Sequence, residues 1–336
     1  MFTARYSTIV NPSRRDMMKA KAGILVLLAF LVFGCSKKDQ GLKPGSGFIQ
    51  VTGGKVWYKI VGSGTETPLL VLHGGPGAPH YYLNPLAGVA RDRPVIFYDQ
   101  LGCGRSDKPQ DTTLWTIPGY VQRLGEIRKD LGLSQVILYG HSWGTILGAE
   151  YMYTKPKGVK GLVLASPALS IPLWQQDADS LIKTLPDSLQ KAIHENEAAG
   201  TTDSPAYQQA MQVYYSMYLM RSDDPEAQAD LDSTMSQMGQ VVYEYMEGPS
   251  EFTLSGTLKD YDSTEKLHEI TIPTLFTVGD HDEAGLSTVK YYQSLVPNSK
   301  LVVFKNAGHL TMQDDPQETV KVLRAFCDSV DTSQQM

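Results

Sequence analysis

The segment Tyr139-Gly140-His141-Ser142-Trp143-Gly144-Thr145 constrains this chain more than any other. It reads Gly-x-Ser-x-Gly. The apolar, β-type run Gln135-Val136-Ile137-Leu138-Tyr139 precedes it, and the helix-compatible run Thr145-Ile146-Leu147-Gly148-Ala149-Glu150-Tyr151-Met152 follows. Strand, tight turn and helix in that order make a nucleophile elbow, which lifts a serine to the top of a sheet on a strained backbone. A Cβ at Gly140 or Gly144 would crowd such a turn. The helix N-terminus beside Ser142 favours developing negative charge. Ser142 is therefore the expected nucleophile.

Strand-like and helix-like segments alternate around the elbow. Residues 48–51 and 55–61 flank Thr52-Gly53-Gly54 and predict a β-hairpin. Residues 69–72 and 94–98 are short apolar runs, as expected of strands buried on both faces of a sheet. Residues 159–165, 274–278 and 300–304 read as further strands. Residues 82–89 and 121–131 read as helices, and Asp315-Pro316 opens a last helix to about Val330. The pattern predicts an α/β fold, a mainly parallel sheet with helices on both faces.

One region breaks the alternation. From about Ser170 to Tyr261 no strand is evident, and residues 174–184, 188–199, 207–220 and 226–246 read as helices. An inserted helical cap at 170–261 would cover the C-terminal edge of the sheet, where ligands bind in open α/β sheets. Its Met and Tyr residues are expected mostly to pack within the cap, with a minority lining a pocket. The core would then be residues 48–169 and 262–332.

The 336 residues suit one large domain or a domain with an insertion, and a hydrophobic content of 42% allows a sizeable core. The net charge is −6, so nothing offers the basic face a nucleic-acid partner would need. Lys19 and Lys21 precede an apolar run over residues 23–33, followed by Gly34-Cys35 and a polar stretch. That is a signal peptide over residues 1–34, too short for a comfortable transmembrane helix. Val32-Phe33-Gly34-Cys35 resembles a bacterial lipobox. The resemblance implies cleavage before Cys35, lipidation of its sulfur, and an exported lipoprotein anchored to a membrane on the periplasmic side or cell surface. A plain signal peptide is the alternative. Residues 35–47 would be a flexible tether. Upstream, either Met17 or Met18 is the start, or residues 13–19 form a twin-arginine signal. Cys103 and Cys327 read as two unpaired, partly buried thiols.

A serine nucleophile needs a base, and the base needs an orienting acid; in this architecture the order is Ser, Asp or Glu, His. His309 follows the last strand, in Asn306-Ala307-Gly308-His309-Leu310, and is the expected base. Gly279-Asp280-His281-Asp282-Glu283 offers the acid. Asp282 projects from the turn and is favoured, with Asp280 as the alternative. The oxyanion needs two backbone donors: the Trp143 N–H, and one from His73-Gly74-Gly75-Pro76-Gly77, where Gly75 is favoured. Losing one such donor typically costs about 2.7–4 kcal/mol of transition-state stabilisation. This chemistry calls for no metal and no cofactor.

At these residues the chain resembles the proline iminopeptidase family of α/β-hydrolases, the group containing the tricorn-interacting aminopeptidase. The resemblance rests on residues 72–77, 98–107, 140–144, 248–252 and 279–283, of which Asp99-Gln100-Leu101-Gly102-Cys103-Gly104-Arg105-Ser106 and Gly248-Pro249-Ser250-Glu251-Phe252 are the more diagnostic. It implies release of one N-terminal residue, often proline, from short peptides with a free N-terminus. It also implies that Glu251 and Glu283 grip the substrate's α-amino group, with Gly74 a further substrate-binding residue. An ammonium in a water-poor pocket needs a paired negative charge. The chain departs from many relatives at Thr145, where they carry a second glycine, and in its lipoprotein signal. Two other readings stay open: an esterase, lactonase or amidase on a small non-peptide, and a non-enzymatic surface lipoprotein.

Overall fold

The short apolar runs become strands of one eight-stranded sheet in the computed structural model, which describes residues 41–333. The signal peptide, Cys35 and the first part of the tether lie outside the described residues. The strands are β1 (Gly45–Val51), β2 (Gly54–Val61), β3 (Leu69–Leu72), β4 (Val95–Tyr98), β5 (Val136–His141), β6 (Val159–Ala165), β7 (Thr274–Gly279) and β8 (Ser299–Phe304). Their order is β1-β2-β4-β3-β5-β6-β7-β8. The β1–β2 and β2–β4 pairs are antiparallel, and every pair from β4 to β8 is parallel. β1 begins at Gly45, so the last three residues read as tether are strand.

The helices are α1 (Ile117–Asp130), α2 (Trp143–Tyr153), α3 (Ile171–Ile182), α4 (Asp187–Ala199), α5 (Pro205–Tyr218), α6 (Pro225–Ser236), α7 (Gln240–Met246), α8 (Leu286–Leu295), α9 (Thr311–Asp314) and α10 (Pro316–Thr332). Strand side chains alternate between the two faces of the sheet. Leu70, Leu72 and Leu138 join one apolar cluster with Leu124 and Ile127 of α1 and Leu147 of α2. Leu69, Val71 and Ile137 join the other with Leu323 and Val330 of α10. Burial on both faces is why these strands are apolar without interruption. Each fully buried Leu, Val or Ile contributes roughly 1.5–3 kcal/mol relative to exposure.

Five helices, α3 to α7, fill the interval between β6 and β7. Both ends of that interval are stitched together: Ser170 bridges Asp262, Ile171 N–H donates to Tyr261 O at 2.9 Å, and Ser263 N–H to Leu169 O at 3.0 Å. Ile182, Ile193, Met211, Tyr214 and Tyr218 form an apolar cluster of the insertion's own.

Three local expectations change. Residues 82–89 belong to a 3₁₀ run, His80–Val89, because Pro85 inside it lacks an N–H and its ring obstructs an α-helical turn. The expected helix over 226–246 is two helices with Gly239 between them. Gly239 N–H donates to Gly77 O at 2.9 Å, and a Cβ there would stand 2.4 Å from Gly102 O. The break is thus where the insertion docks on the Gly-rich loop after β3. Helix α8 was not among the expected elements. No described helix is long and apolar enough to cross a membrane.

Candidate active site

Register brings the loops of the site to one edge. Leu72 pairs with Gly140, Gly140 with Leu164, Ala165 with Thr277, and Gly279 with Phe304. The chain therefore leaves β3, β5, β6, β7 and β8 side by side, at their C-terminal ends.

Ser142 sits between β5 and α2 with φ 54° and ψ −122°, outside the regions a serine ordinarily adopts. Such a residue costs about 1–3 kcal/mol of strain. The surroundings hold it there. Ser142 N–H donates to Ala165 O at 3.0 Å. A Cβ at Gly140 would lie 2.3 Å from Gly144 O, and one at Gly144 would lie 2.1 Å from Leu72 O, so neither position tolerates a side chain.

The base loop and the acid loop meet. His309 Nδ1 lies 2.8 Å from Asp282 Oδ1. Asp282 also accepts the Ala284 N–H at 2.9 Å and the Gly279 N–H at 3.2 Å. Ser166 Oγ lies 2.7 Å from Asp282 Oδ2 and 2.9 Å from His309 O, and its single proton goes to the charged acceptor. Asp280, the alternative acid, instead faces His281 at 3.8 Å. The His309 ring is flanked edge-on by His141 and Trp174. The His309 backbone N–H donates to Tyr218 O at the end of α5, so the insertion helps to hold His309. With Nδ1 committed to Asp282, Nε2 is left for proton transfer. Ser142 Oγ makes no hydrogen bond to His309 among the described residues; such contacts commonly close only when substrate binds.

A second network orders the Gly-rich loop. Gly74 N–H donates to Tyr82 Oη at 2.7 Å, Tyr82 donates to His141 Nδ1 at 3.0 Å, and His141 Nε2–H donates to His309 O at 3.0 Å. Burial pushes His141 down to about 3, so its ring is neutral and the chain of donors runs one way. Gly74 borders the cavity with its N–H already committed. The N–H groups of Gly75 and Trp143 have no protein acceptor among the described residues. Gly75 has φ +103°, and a Cβ there would lie 2.5 Å from Gly77 N.

Gln100 is a residue the sequence reading left without a role. Its Oε1 accepts the Trp143 indole N–H at 3.0 Å, its Nε2 donates to His73 O at 2.9 Å, and its N–H donates to His73 Nε2 at 2.8 Å. It ties the elbow to the Gly-rich loop. His73 is neutral, held down to about 4 by burial.

The elbow, the Gly-rich loop and His309 open on one cavity of about 430 Å³. Ser142 and His309 line it, and so do Glu247, Glu251 and Glu283. Glu283 is 3% exposed, and its Oε1 has no hydrogen-bond partner. Burial first, then the charges of Glu251 and Asp282, push the Glu283 carboxyl well above its usual range. Burial also raises Glu251, which the positive side of His309 partly offsets. No Lys or Arg lines the cavity. Carboxyls raised in this way are ready to meet a cation. Glu247 was missed in the sequence, although it stands four residues before Glu251 in the same Met246-Glu247-Gly248-Pro249-Ser250-Glu251 segment. Among the described residues, no group of three or more His, Cys, Asp and Glu is placed to hold a metal ion.

The chain resembles known proteins over most of its length. Residues 67–316 match the alpha/beta hydrolase fold family. The chain is 46% identical over 286 residues to a proline iminopeptidase of Heyndrickxia coagulans, covering 84% of this chain and 99% of that one. It is 36% identical over 298 residues to one from Saccharolobus solfataricus, covering 87% and 95%. Its fold matches the crystal structure of a proline iminopeptidase from Mycobacterium smegmatis with a TM-score of 0.80 at 32% identity, over 86% of this chain and all of that one.

Proposed function

The chain belongs to the proline iminopeptidase family of α/β-hydrolases, and we infer that it is a serine aminopeptidase that releases the N-terminal residue, proline first among them, from short peptides. The observation that carries this reading is the placement of Glu251 and Glu283 in the cavity of Ser142 and His309, with no Lys or Arg to neutralise them. A free α-ammonium supplies the missing charge. Anchoring it there sets the first peptide carbonyl against the serine, so the enzyme counts from the N-terminus. An ester, lactone or acylated amide brings no such cation and leaves both glutamates unmatched.

Ser142 Oγ attacks the first carbonyl carbon as His309 Nε2 takes the hydroxyl proton. Asp282 keeps the His309 tautomer and steadies the imidazolium. The Trp143 and Gly75 N–H groups receive the oxyanion. The C–N bond breaks as His309 returns the proton to the leaving amine, giving an acyl-enzyme. Water, deprotonated by His309, then attacks the acyl carbon; the bond to Ser142 Oγ breaks, His309 returns the proton to Oγ, and the free residue leaves.

The test is hydrolysis of proline, alanine and leucine arylamides, each with and without an N-acetyl block, beside an acetate ester. Free-amine amides cleaved in preference to their acetylated forms are the expected result. Ester turnover without amide turnover would overturn the reading. Labelling of Ser142 by a fluorophosphonate is expected as well, and its absence would contradict an activated serine.

Residues 1–47 support a further proposal, that the enzyme is exported and held on a membrane through a lipid on Cys35. Support comes from the apolar run, Gly34-Cys35 and the polar stretch after them. Mass spectrometry of the N-terminal fragment from membranes is expected to find an acylated Cys35, and Cys35→Ala to move the enzyme into the soluble fraction. An unmodified Cys35 would overturn it.

A further inference from the structure

The cavity holds one acid more than an α-amino group needs. We propose that Glu247 forms a second cation subsite, which admits N-terminal residues whose side chain carries an ammonium or guanidinium group. The proposal rests on the aminopeptidase reading above and extends its substrates to basic first residues.

Glu247 ends α7 and is only 9% exposed. Among the described residues its carboxyl makes no hydrogen bond and no ion pair; it faces the cavity alone. The cavity wall contains three glutamates and no Lys or Arg. Of its two histidines, His141 is neutral through burial and His309 is paired with Asp282. An α-ammonium held by Glu251 and Glu283 leaves Glu247 without a partner, and a buried carboxylate without a partner is unfavourable.

Glu283 follows Asp282 in the loop after β7, whereas Glu247 and Glu251 come from the insertion after α7, so the sheet and the cap both bring carboxyls to the cavity. The same acids are not grouped to hold a metal ion, which favours an extended organic dication over a compact one. Tyr207, Tyr215 and Tyr243 line the same cavity, and aromatic faces attract ammonium and guanidinium groups. When no basic side chain is present, Glu247 takes a proton instead; burial and then the Glu251 charge raise its carboxyl to about 8.

The experiment compares arylamides of lysine, of norleucine (length-matched and uncharged) and of proline. For the wild-type enzyme, kcat/KM for lysine is expected to exceed that for norleucine by at least about tenfold, and Glu247→Gln to shrink that ratio by at least about fivefold. Glu247→Asp is expected to keep part of the advantage. A lysine-to-norleucine ratio near one in the wild type overturns the proposal without recourse to any variant. So does a folded Glu247→Gln that lowers both substrates equally. Proline turnover without a lysine advantage removes only the second subsite. No turnover of any free-amine arylamide removes the aminopeptidase reading and this proposal together.

Discussion

Asp282 Oδ1 lies 2.8 Å from His309 Nδ1, and the same carboxylate is fixed by two backbone N–H groups, of Ala284 and Gly279. An asparagine at 282 would keep the shape and remove the charge that selects the His309 tautomer. Asp282→Asn is therefore expected to lower kcat by about 10⁴-fold with the fold retained. Asp280→Asn, whose carboxylate faces His281 at 3.8 Å, is expected to change kcat less than about twofold. Steady-state kinetics beside circular dichroism check both. A loss below tenfold in Asp282→Asn would remove Asp282 from the triad.

Glu251 and Glu283 are expected to act on the substrate's charge and leave the acyl transfer itself alone. Removing one member of a buried charge pair costs about 2–5 kcal/mol, or roughly 30- to 4,000-fold. Glu251→Gln is accordingly expected to reduce kcat/KM for free-amine arylamides by 30-fold or more, by the same principle, and to leave the residual cleavage of acetylated substrates within about threefold. Parallel losses on both substrate classes would show that Glu251 serves the fold and not the ammonium.

Gly239 joins α6 to α7 by resting on Gly102 and Gly77. A methyl group there would stand 2.4 Å from Gly102 O, and backbone cannot yield as a flexible side chain does. Gly239→Ala is expected to cost about 1–3 kcal/mol of stability through overpacking. Because the corner docks on the loop that carries Gly75, kcat is expected to fall with it. Thermal unfolding and proline arylamide kinetics read the two effects. An unchanged melting temperature would mean the two loops are not in contact in solution.

That corner also shows where sequence reasoning reaches its limit. Ser142, the Gly-rich loop and the strands are legible because local patterns encode them: glycines where a Cβ cannot fit, and unbroken apolar runs where both faces are covered. Asp282 and His309 are legible because the chain order of this architecture places each at the end of a strand. The pause at Gly239 is not, since 226–246 is helix-compatible on its own and only the approach of Gly102 ends it. Gln100 escapes for the same reason: its three bonds go to Trp143 and His73, far away in sequence. Glu247 reads as an ordinary helix-end acid until the insertion folds over the sheet and closes it into the cavity.

The titrating groups of the site also set how stability depends on pH. His141, at about 3, and His73, at about 4, are depressed below the ordinary 6.5 by burial. Their contributions are full above pH 6.5 and are lost as pH falls through 4 and 3. Glu247 has the opposite sign. Its carboxyl is raised from 4.5 to about 8, so its contribution is full below pH 4.5 and is lost as pH rises through 8. Glu251 and Glu283 are raised too and add to the alkaline decline. Between 4.5 and 6.5 the histidine and glutamate slopes oppose one another, and above 6.5, of these groups, only the glutamates act, so their joint contribution falls with rising pH there. Glu247→Gln removes one alkaline slope. Its stability relative to wild type is expected to rise steadily from pH 4.5 to pH 8, by up to about 5 kcal/mol. Denaturant unfolding of both proteins at pH 5, 6.5 and 8 measures that difference, and a constant offset across the three would mean that Glu247 keeps the same charge throughout.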